Sequence, residues 1–204
     1  MNLERARLFS GLNEEADSVV EARRGPPSVG MVFDEGVVVA TAEVTESRLR
    51  ESFPNNFHRI SETQALVSSG SDAQAMQMAD WFREEHAGAA EFAKRSLDAE
   101  ELLQSAVRLS RFPNERREQS VLIVGDGANK QLSETLPNGN IARFRAVATG
   151  NNCQEIGSYL EEQYTEGLRE KEAVELLIDS MESVEVDETR VTGYVLHSNH
   201  YEEL

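Results

Sequence analysis

The sequence predicts one α+β domain, in which two antiparallel sheets stack face to face between layers of helices. The 204 residues can bury one substantial core, and no Pro/Gly/Ser-rich linker divides them. Short apolar runs bounded by turn residues occur in two blocks, and two segments with helical spacing follow each block. This order permits a four-layer arrangement, although periodicity alone does not single it out.

The first half supplies a leading helix, four strands and two more helices. Apolar residues recur at helical spacing over 12–22 until Pro26-Pro27 stops the pattern. Asp34-Glu35-Gly36 separates two apolar runs and has the residue types of a tight hairpin turn. Ser71-Asp72 provides an N-cap for the long helix that follows. The predicted elements are a helix over 12–22, strands over 29–33, 37–40, 57–60 and 65–67, and helices over 72–92 and 98–109.

The second half repeats this order. Val121 to Val124 is predicted to be a buried strand, and Gly125-Asp126-Gly127 a turn. Asn151 or Asn152 is predicted to cap the next helix. The predicted elements are strands over 121–124, 131–136 and 142–148, a helix whose inner stripe runs from Cys153 to Tyr164, a helix that carries the apolar residues from Ala173 to Met181, and a closing strand over 191–196.

Composition indicates a strongly acidic intracellular protein. The formal net charge is -17, with a globular balance of 39% hydrophobic and 28% charged residues. Such a charge makes phosphate backbones and anionic lipids poor partners, so neither nucleic acid nor a membrane is expected. The N-terminus mixes acidic and basic residues without the apolar stretch of a signal peptide, which predicts a cytoplasmic location.

The charge pattern is typical of a halophile's protein. Acidic residues are spread along almost the whole chain, whereas its only lysines are Lys94, Lys130 and Lys171. A large net charge resists association, and salt at 1 M screens self-repulsion to within roughly 3 Å. An ordinary acidic protein is the alternative interpretation.

No cofactor or metal is predicted. Among His197, His200 and the nearby Glu202, the spacing does not match a known metal motif, and these residues are assigned to an exposed C-terminal tail. Cys153, the only cysteine, lies on the apolar stripe of a helix and is interpreted as a packed thiol. Metal-ligand spacing is likewise absent from the full set of histidines, which are His58, His86, His197 and His200.

Three stretches resemble the proteasome α and β subunits in their order and spacing. They run from Ser28 to Leu49, from Val67 to Gln74, and from Val121 to Leu176, and the region from the first stretch to the last covers about three-quarters of the chain. The resemblance implies the αββα fold of N-terminal-nucleophile hydrolases. The domain borders would then be 1–27 for a leader and an α-type helix, 28–198 for the sandwich, and 199–204 for an acidic C-terminal tail.

Within this family the residues favour a catalytically silent α-type subunit. An active β subunit exposes an N-terminal threonine, which a nearby lysine assists. The matching stretch here is Gly25-Pro26-Pro27-Ser28, and the lysine position falls near Asn55-Asn56-Phe57. An N-terminal-nucleophile peptidase would need cleavage after Pro27 to expose Ser28, and it is the least favoured alternative.

The α-type resemblance implies a ring of copies of this chain, sevenfold in the family. That ring would stack on a β-type ring and gate the entrance to its proteolytic chamber. The tyrosine and aspartate typical of α leaders are replaced here by Leu3 and Glu4. The resemblance assigns the gate to Leu3, Glu4, Arg5 and Phe9, and the inter-subunit helix to Leu12, Ala16, Val19 and Val20.

A regulatory ATPase is a further partner that the resemblance raises. In α rings a lysine holds the C-terminal carboxylate of the activating ATPase, and the matching position lies at about Asn56. An uncharged amide gives up most of that charge-assisted contact. Together with the altered leader, this departure supports a second alternative, a divergent paralogue that forms its own oligomer.

Overall fold

The computed structural model describes residues 24–44, 56–110, 121–135, 140–184 and 189–204. The helix predicted over 12–22 precedes these residues, and so do both candidate sets from the leader. Outside the described residues lie the gate positions Leu3, Glu4, Arg5 and Phe9 and the inter-subunit positions Leu12, Ala16, Val19 and Val20. Their roles stay predictions.

Ten strands occur among the described residues, and they form two antiparallel sheets. The strands are β1 Ser28–Phe33, β2 Gly36–Val44, β3 Phe57–Arg59, β4 Gln64–Ser69, β5 Val121–Asp126, β6 Gln131–Thr135, β7 Ile141–Phe144, β8 Ala146–Thr149, β9 Thr189–Leu196 and β10 Tyr201–Glu203. The first sheet has the order β10-β9-β2-β1-β8, and the second has the order β3-β4-β5-β6-β7. β1 and β2 form the predicted hairpin, in which Phe33 faces Gly36 across Asp34 and Glu35.

Helices cover the outer face of each sheet, as the sequence predicts. The helices in the described part of the chain are α1 Asp72–Gly88, which continues into a π-helical turn Ala89–Ala93, α2 Ala99–Ser110, α3 Cys153–Gln163 and α4 Glu170–Glu182. α1 and α2 pack on the second sheet, and α3 and α4 pack on the first. The four layers are therefore helices, sheet, sheet and helices.

Continuous apolar runs make up the central strands because both of their faces are buried. Along β2, Val37 and Val39 face the second sheet, whereas Val38 faces α3 and α4. Along β5, Ile123 faces the first sheet, whereas its neighbour Leu122 faces α1 and α2. Successive side chains of a strand point to opposite faces, so both sides of these strands need apolar residues.

Local hydrogen bonds explain where two of the helices begin. Ser71 Oγ accepts a 3.4 Å hydrogen bond from the Gln74 amide, which confirms the predicted N-cap of α1. Asp98 accepts at 2.9 Å from the Glu101 amide, and the Glu101 side chain accepts at 3.1 Å from the Asp98 amide. This reciprocal pair is a capping box at the start of α2.

The strand predicted over 142–148 is in fact two strands in different sheets. β7 pairs with β6 in the second sheet, and β8 pairs with β1 in the first. Arg145 is the residue between them. Because both segments carry residues compatible with strands, residue type did not reveal the change of sheet.

Three other predicted details differ from the structure. Gly125 and Asp126 belong to β5 rather than to a turn. Asn152 occupies the N-cap position of α3 with φ +58°, but its side chain makes no capping hydrogen bond. The end of the predicted acidic tail is the short edge strand β10, whose Tyr201 pairs with Leu196 of β9.

Candidate functional site

A buried group of polar side chains lies at the end of the sandwich where β1 begins. Ser28 opens β1 and faces Thr41 of β2 on one side and Thr149 of β8 on the other. Asn56 immediately precedes β3, and Ser68 lies near the end of β4. Ser28, Thr41, Asn56 and Ser68 are referred to below as the polar cluster.

The Asn56 amide joins the two sheets. Its Nδ2 donates at 2.8 Å to Thr41 Oγ1 and at 3.2 Å to Ser28 Oγ, both in the first sheet. The same nitrogen donates at 3.2 Å to the backbone carbonyl of Ser68 in the second sheet. The four side chains of the polar cluster are at most 4% exposed.

Residues 24–27 are tied into the fold ahead of Ser28. Pro26 packs closely against Gly150, where an added Cβ would lie 2.2 Å from the Pro26 carbonyl oxygen. The φ of Gly150 is +88°, a backbone conformation that favours glycine. Three backbone amides hold the segment: those of Ala42, Gly70 and Asn151, which donate to the carbonyls of Pro27, Arg24 and Gly25 at 2.8, 2.7 and 2.9 Å.

The chemistry of the polar cluster is that of hydroxyl and amide groups, with no ionisable side chain among its four members. A serine nucleophile needs a neighbouring base and access for the substrate. The Ser28 side chain is 0% exposed, and its hydroxyl lies 3.0 Å from the Thr41 hydroxyl. As arranged, the polar cluster stabilises the junction between the sheets, because its buried polar groups bond to one another.

Asn56, the position matched to the activator lysine, faces the interior of the sandwich. Its side chain is 4% exposed, and its amide nitrogen donates within the polar cluster. The amide is therefore not presented to a partner at the surface. The assignment of an activator pocket at about Asn56 stays a prediction.

A groove of about 390 Å³ runs between β8 and α3 at the edge of the sandwich. Cys153 is half-buried, packs against the apolar core of the first sheet and lines this groove. The Tyr164 hydroxyl donates at 3.1 Å to the Val32 carbonyl, and burial raises the pKa of Tyr164. Phe144 and Arg145 line both this groove and an adjoining cleft of about 530 Å³.

The C-terminal hairpin brings together three residues that the sequence assigned to an exposed tail. One potential ligand atom from each of His197, His200 and Glu202 lies within 4.8 Å of the other two. The His197 side chain is only 12% exposed. The sequence signal for this group is the pattern His-x-x-His-x-Glu directly after a predicted strand. If the chain forms a tight hairpin there, the residues on its two arms lie close together.

The two sheets and their outer helix pairs define an αββα sandwich of the N-terminal-nucleophile hydrolase type. Among the described residues, none of the helices combines the length and apolarity needed to cross a membrane. The chain belongs to the proteasome subunit family, whose sequence pattern matches residues 22–196.

Similar proteins carry the name proteasome subunit alpha. The chain is 29% identical over 184 residues to proteasome subunit alpha 1 of Haloarcula marismortui, covering 84% of this chain and 68% of that protein. It is 27% identical over 166 residues to proteasome subunit alpha of Halobacterium salinarum, covering 78% and 66%. A relative from Picrophilus torridus is 25% identical, covering 82% and 74%. The chain therefore spans about two thirds to three quarters of the length of these relatives.

Proposed function

We propose that this protein is a catalytically silent α-type subunit of a cytoplasmic proteasome core particle. Copies of the chain form a ring that stacks on a β-type ring and gates the entrance to the proteolytic chamber. The observation that carries the proposal is the bonding of residues 24–27 ahead of the buried Ser28. The names of the relatives point the same way.

Catalytic silence follows from what Ser28 would need in order to react. In the continuous chain its backbone nitrogen is part of the peptide bond to Pro27, so it provides no free amine. Its hydroxyl is buried and accepts a hydrogen bond from the Asn56 amide, which cannot take up a proton as a base does. A processed peptidase would have to break three backbone hydrogen bonds to residues 24–27 before Ser28 became a terminus.

The ring is tested by electron microscopy of the purified chain in molar KCl, with and without a co-expressed β-type subunit from the same source. We expect sevenfold rings that stack on β rings. A chain that stays monomeric, or closes with another symmetry and ignores the β subunit, would contradict the proposal. That outcome would support the divergent paralogue, for which the internal use of Asn56 is the structural argument.

Catalytic silence is tested separately by intact mass and by peptidase assays of the assembled complex. We expect a mature chain that keeps the residues before Ser28, and unchanged activity in a Ser28→Ala variant. A mature chain that starts at Ser28, together with loss of activity on Ser28→Ala, would establish the peptidase instead. Docking of a regulatory ATPase is tested by adding the ATPase to the stacked rings. We expect weak docking, because asparagine at position 56 stands where the family has a lysine.

A further inference from the structure

The C-terminal hairpin brings two imidazoles into contact. The His197 amide donates at 2.9 Å to the His200 carbonyl, which closes the turn between β9 and β10. The two rings stack with their centroids 4.4 Å apart and 12° between their planes. The turn therefore places two nitrogen ligands side by side before any ion binds.

The tautomer of His200 leaves one nitrogen available. Its Nδ1 lies 2.8 Å from Asn199 Oδ1, and an amide oxygen only accepts hydrogen bonds. The proton of neutral His200 is thus on Nδ1, and the lone pair is on Nε2. His200 Nε2 lies 3.5 Å from Glu202 Oε1. A nitrogen lone pair and a carboxylate oxygen are therefore close enough for one metal ion to bind both after a small movement.

His197 is the most firmly held member of the group. Its ring contacts Phe33 edge to face at 6.0 Å, and its buried Nε2 has no hydrogen-bond partner in the described part of the chain. The Glu170 carboxylate, at the start of α4, places its Oε2 atom 3.6 Å from this nitrogen.

We propose that His197, His200 and Glu202 bind a divalent transition-metal ion of the Zn²⁺ class. Imidazole nitrogens suit Zn²⁺, whereas Mg²⁺ and Ca²⁺ prefer oxygen ligands. Two ligands of a tetrahedral Zn²⁺ lie about 3.3 Å apart, given Zn–N distances of about 2.0–2.1 Å. The exposed side chains of His200 and Glu202 can close the remaining gap by changing rotamer, because they are 53% and 60% exposed. Water fills the fourth position.

The ion joins the two strands of the hairpin. His197 directly follows β9, whereas Glu202 lies within β10, and β10 is an edge of the first sheet. A ligand that binds only the folded hairpin stabilises it by mass action. Zn²⁺ is therefore expected to raise the melting temperature and to slow amide exchange in β10.

The test uses the full chain without an affinity tag, freed of metal by a chelator and kept in molar KCl to screen weak binding to surface carboxylates. ZnCl₂ is titrated in competition with a chromophoric chelator, and MgCl₂ serves as the oxygen-seeking comparison. We expect one tight Zn²⁺ per chain, and at least a tenfold loss of affinity in both His200→Gln and Glu202→Gln. Because both side chains are exposed, these variants should keep the fold, which circular dichroism checks.

His86→Gln is the matched control, since it removes an imidazole from α1 on the other side of the sandwich. Its Zn²⁺ affinity should equal that of the unsubstituted chain. X-ray absorption at the zinc edge should show two imidazole ligands, falling to one in His200→Gln. Zn²⁺ binding that is unchanged in His200→Gln, or that Mg²⁺ matches, would overturn the proposal and indicate ion association with the acidic surface.

Discussion

Asn56 shows how one residue can replace a charge that the resemblance leads one to expect. A lysine at position 56 would place a buried ammonium group beside the hydroxyls of the polar cluster. Burial of an unpaired charge costs folding free energy. The neutral amide instead donates to oxygens from both sheets. Asn56 thus has a clear structural role, whatever its relation to an activator.

Replacement of Asn56 by alanine should lower the free energy of unfolding by about 1–3 kcal/mol. The cause is the loss of donors to Thr41 Oγ1 and to the Ser68 carbonyl in a buried setting. Denaturant unfolding in molar KCl measures the change. Asn151→Ala is the control, because that side chain is exposed while its backbone amide still donates to Gly25. Equal stability of the two variants would mean that the polar cluster contributes little.

Glu172 is a residue whose contacts imply a pH dependence of stability. The Arg169 side chain donates to it at 2.7 Å and the Arg169 amide at 2.9 Å, and these bonds lower the pKa of Glu172 to about 2. In the unfolded chain a glutamate titrates near about 4.3. The folded pKa is the lower one, so this carboxylate stabilises the fold fully above about pH 4.3, and the contribution is lost as pH falls through about 2.

Arg169→Met should raise the pKa of Glu172 partway toward about 4.3, since the backbone hydrogen bond remains. A titration of the Glu172 side-chain carboxyl carbon by NMR measures it directly. Lys171→Met removes the same charge from the same turn but leaves both bonds to Glu172, so the pKa should stay low. A Glu172 carboxylate that titrates near 4.3 in the unsubstituted chain would refute the ion pair.

At the scale of elements, the two sheets pack closely at Gly125, where a side chain is missing. Gly125 lies in β5, and an added Cβ would be 2.8 Å from Val39 Cγ1 and 3.1 Å from Leu196 Cδ1. These partners belong to the first sheet and are fully buried. They leave little room to move, because protein interiors are close-packed.

Gly125→Ala should therefore destabilise the fold by about 1–3 kcal/mol through overpacking. Gly157→Ala provides the opposite expectation, because an added Cβ on α3 would meet none of the described residues within 4 Å. Alanine there should stabilise the chain by about 0.4–1 kcal/mol, since it restricts the unfolded state. Thermal melts of the two variants are compared directly. Equal melting temperatures for Gly125→Ala and Gly157→Ala would mean that the two sheets leave room for a methyl group at Gly125.

The sequence predicted an element well where the element depends on a local apolar pattern, and poorly where it depends on contacts with distant strands. Within the described residues, helices and strands with apolar periodicity were located well, because burial of one face or both leaves a local pattern. The end of β5 was misplaced because Gly125-Asp126-Gly127 has the residues of a turn, while the reason for Gly125 lies in another sheet. The break at Arg145 was missed for a similar reason, since pairing partners decide which sheet a strand joins.

The polar cluster was beyond sequence analysis for a related reason. Its members come from β1, β2, β4 and the residue before β3, and only the stacking of the sheets brings them together. Ser28 and Asn56 were singled out through the family resemblance, but no pattern linked them to each other. His197 and His200 were noted, whereas their closeness depends on a hairpin that the prediction treated as a tail.

For the whole molecule, the dominant quantity is a net charge of -17 on 204 residues. Any ring multiplies this charge, so neighbouring copies repel unless salt screens them. The relatives from Haloarcula and Halobacterium belong to halophilic archaea, which agrees with the halophile interpretation of the composition. Folding and assembly should then share one dependence on salt.

The melting temperature should rise between about 0.1 M and 1 M KCl, because the screening length falls from about 10 Å to about 3 Å. Each kcal/mol gained corresponds to about 2–4 °C for a chain of this size. A double variant, Glu161→Gln with Glu162→Gln, removes two exposed charges from α3 and should melt higher than the unsubstituted chain at low salt. The difference should shrink in molar KCl. If salt acted only by strengthening apolar burial, KCl would raise the melting temperatures of the two chains equally. A melting temperature that does not depend on KCl would contradict the halophile hypothesis.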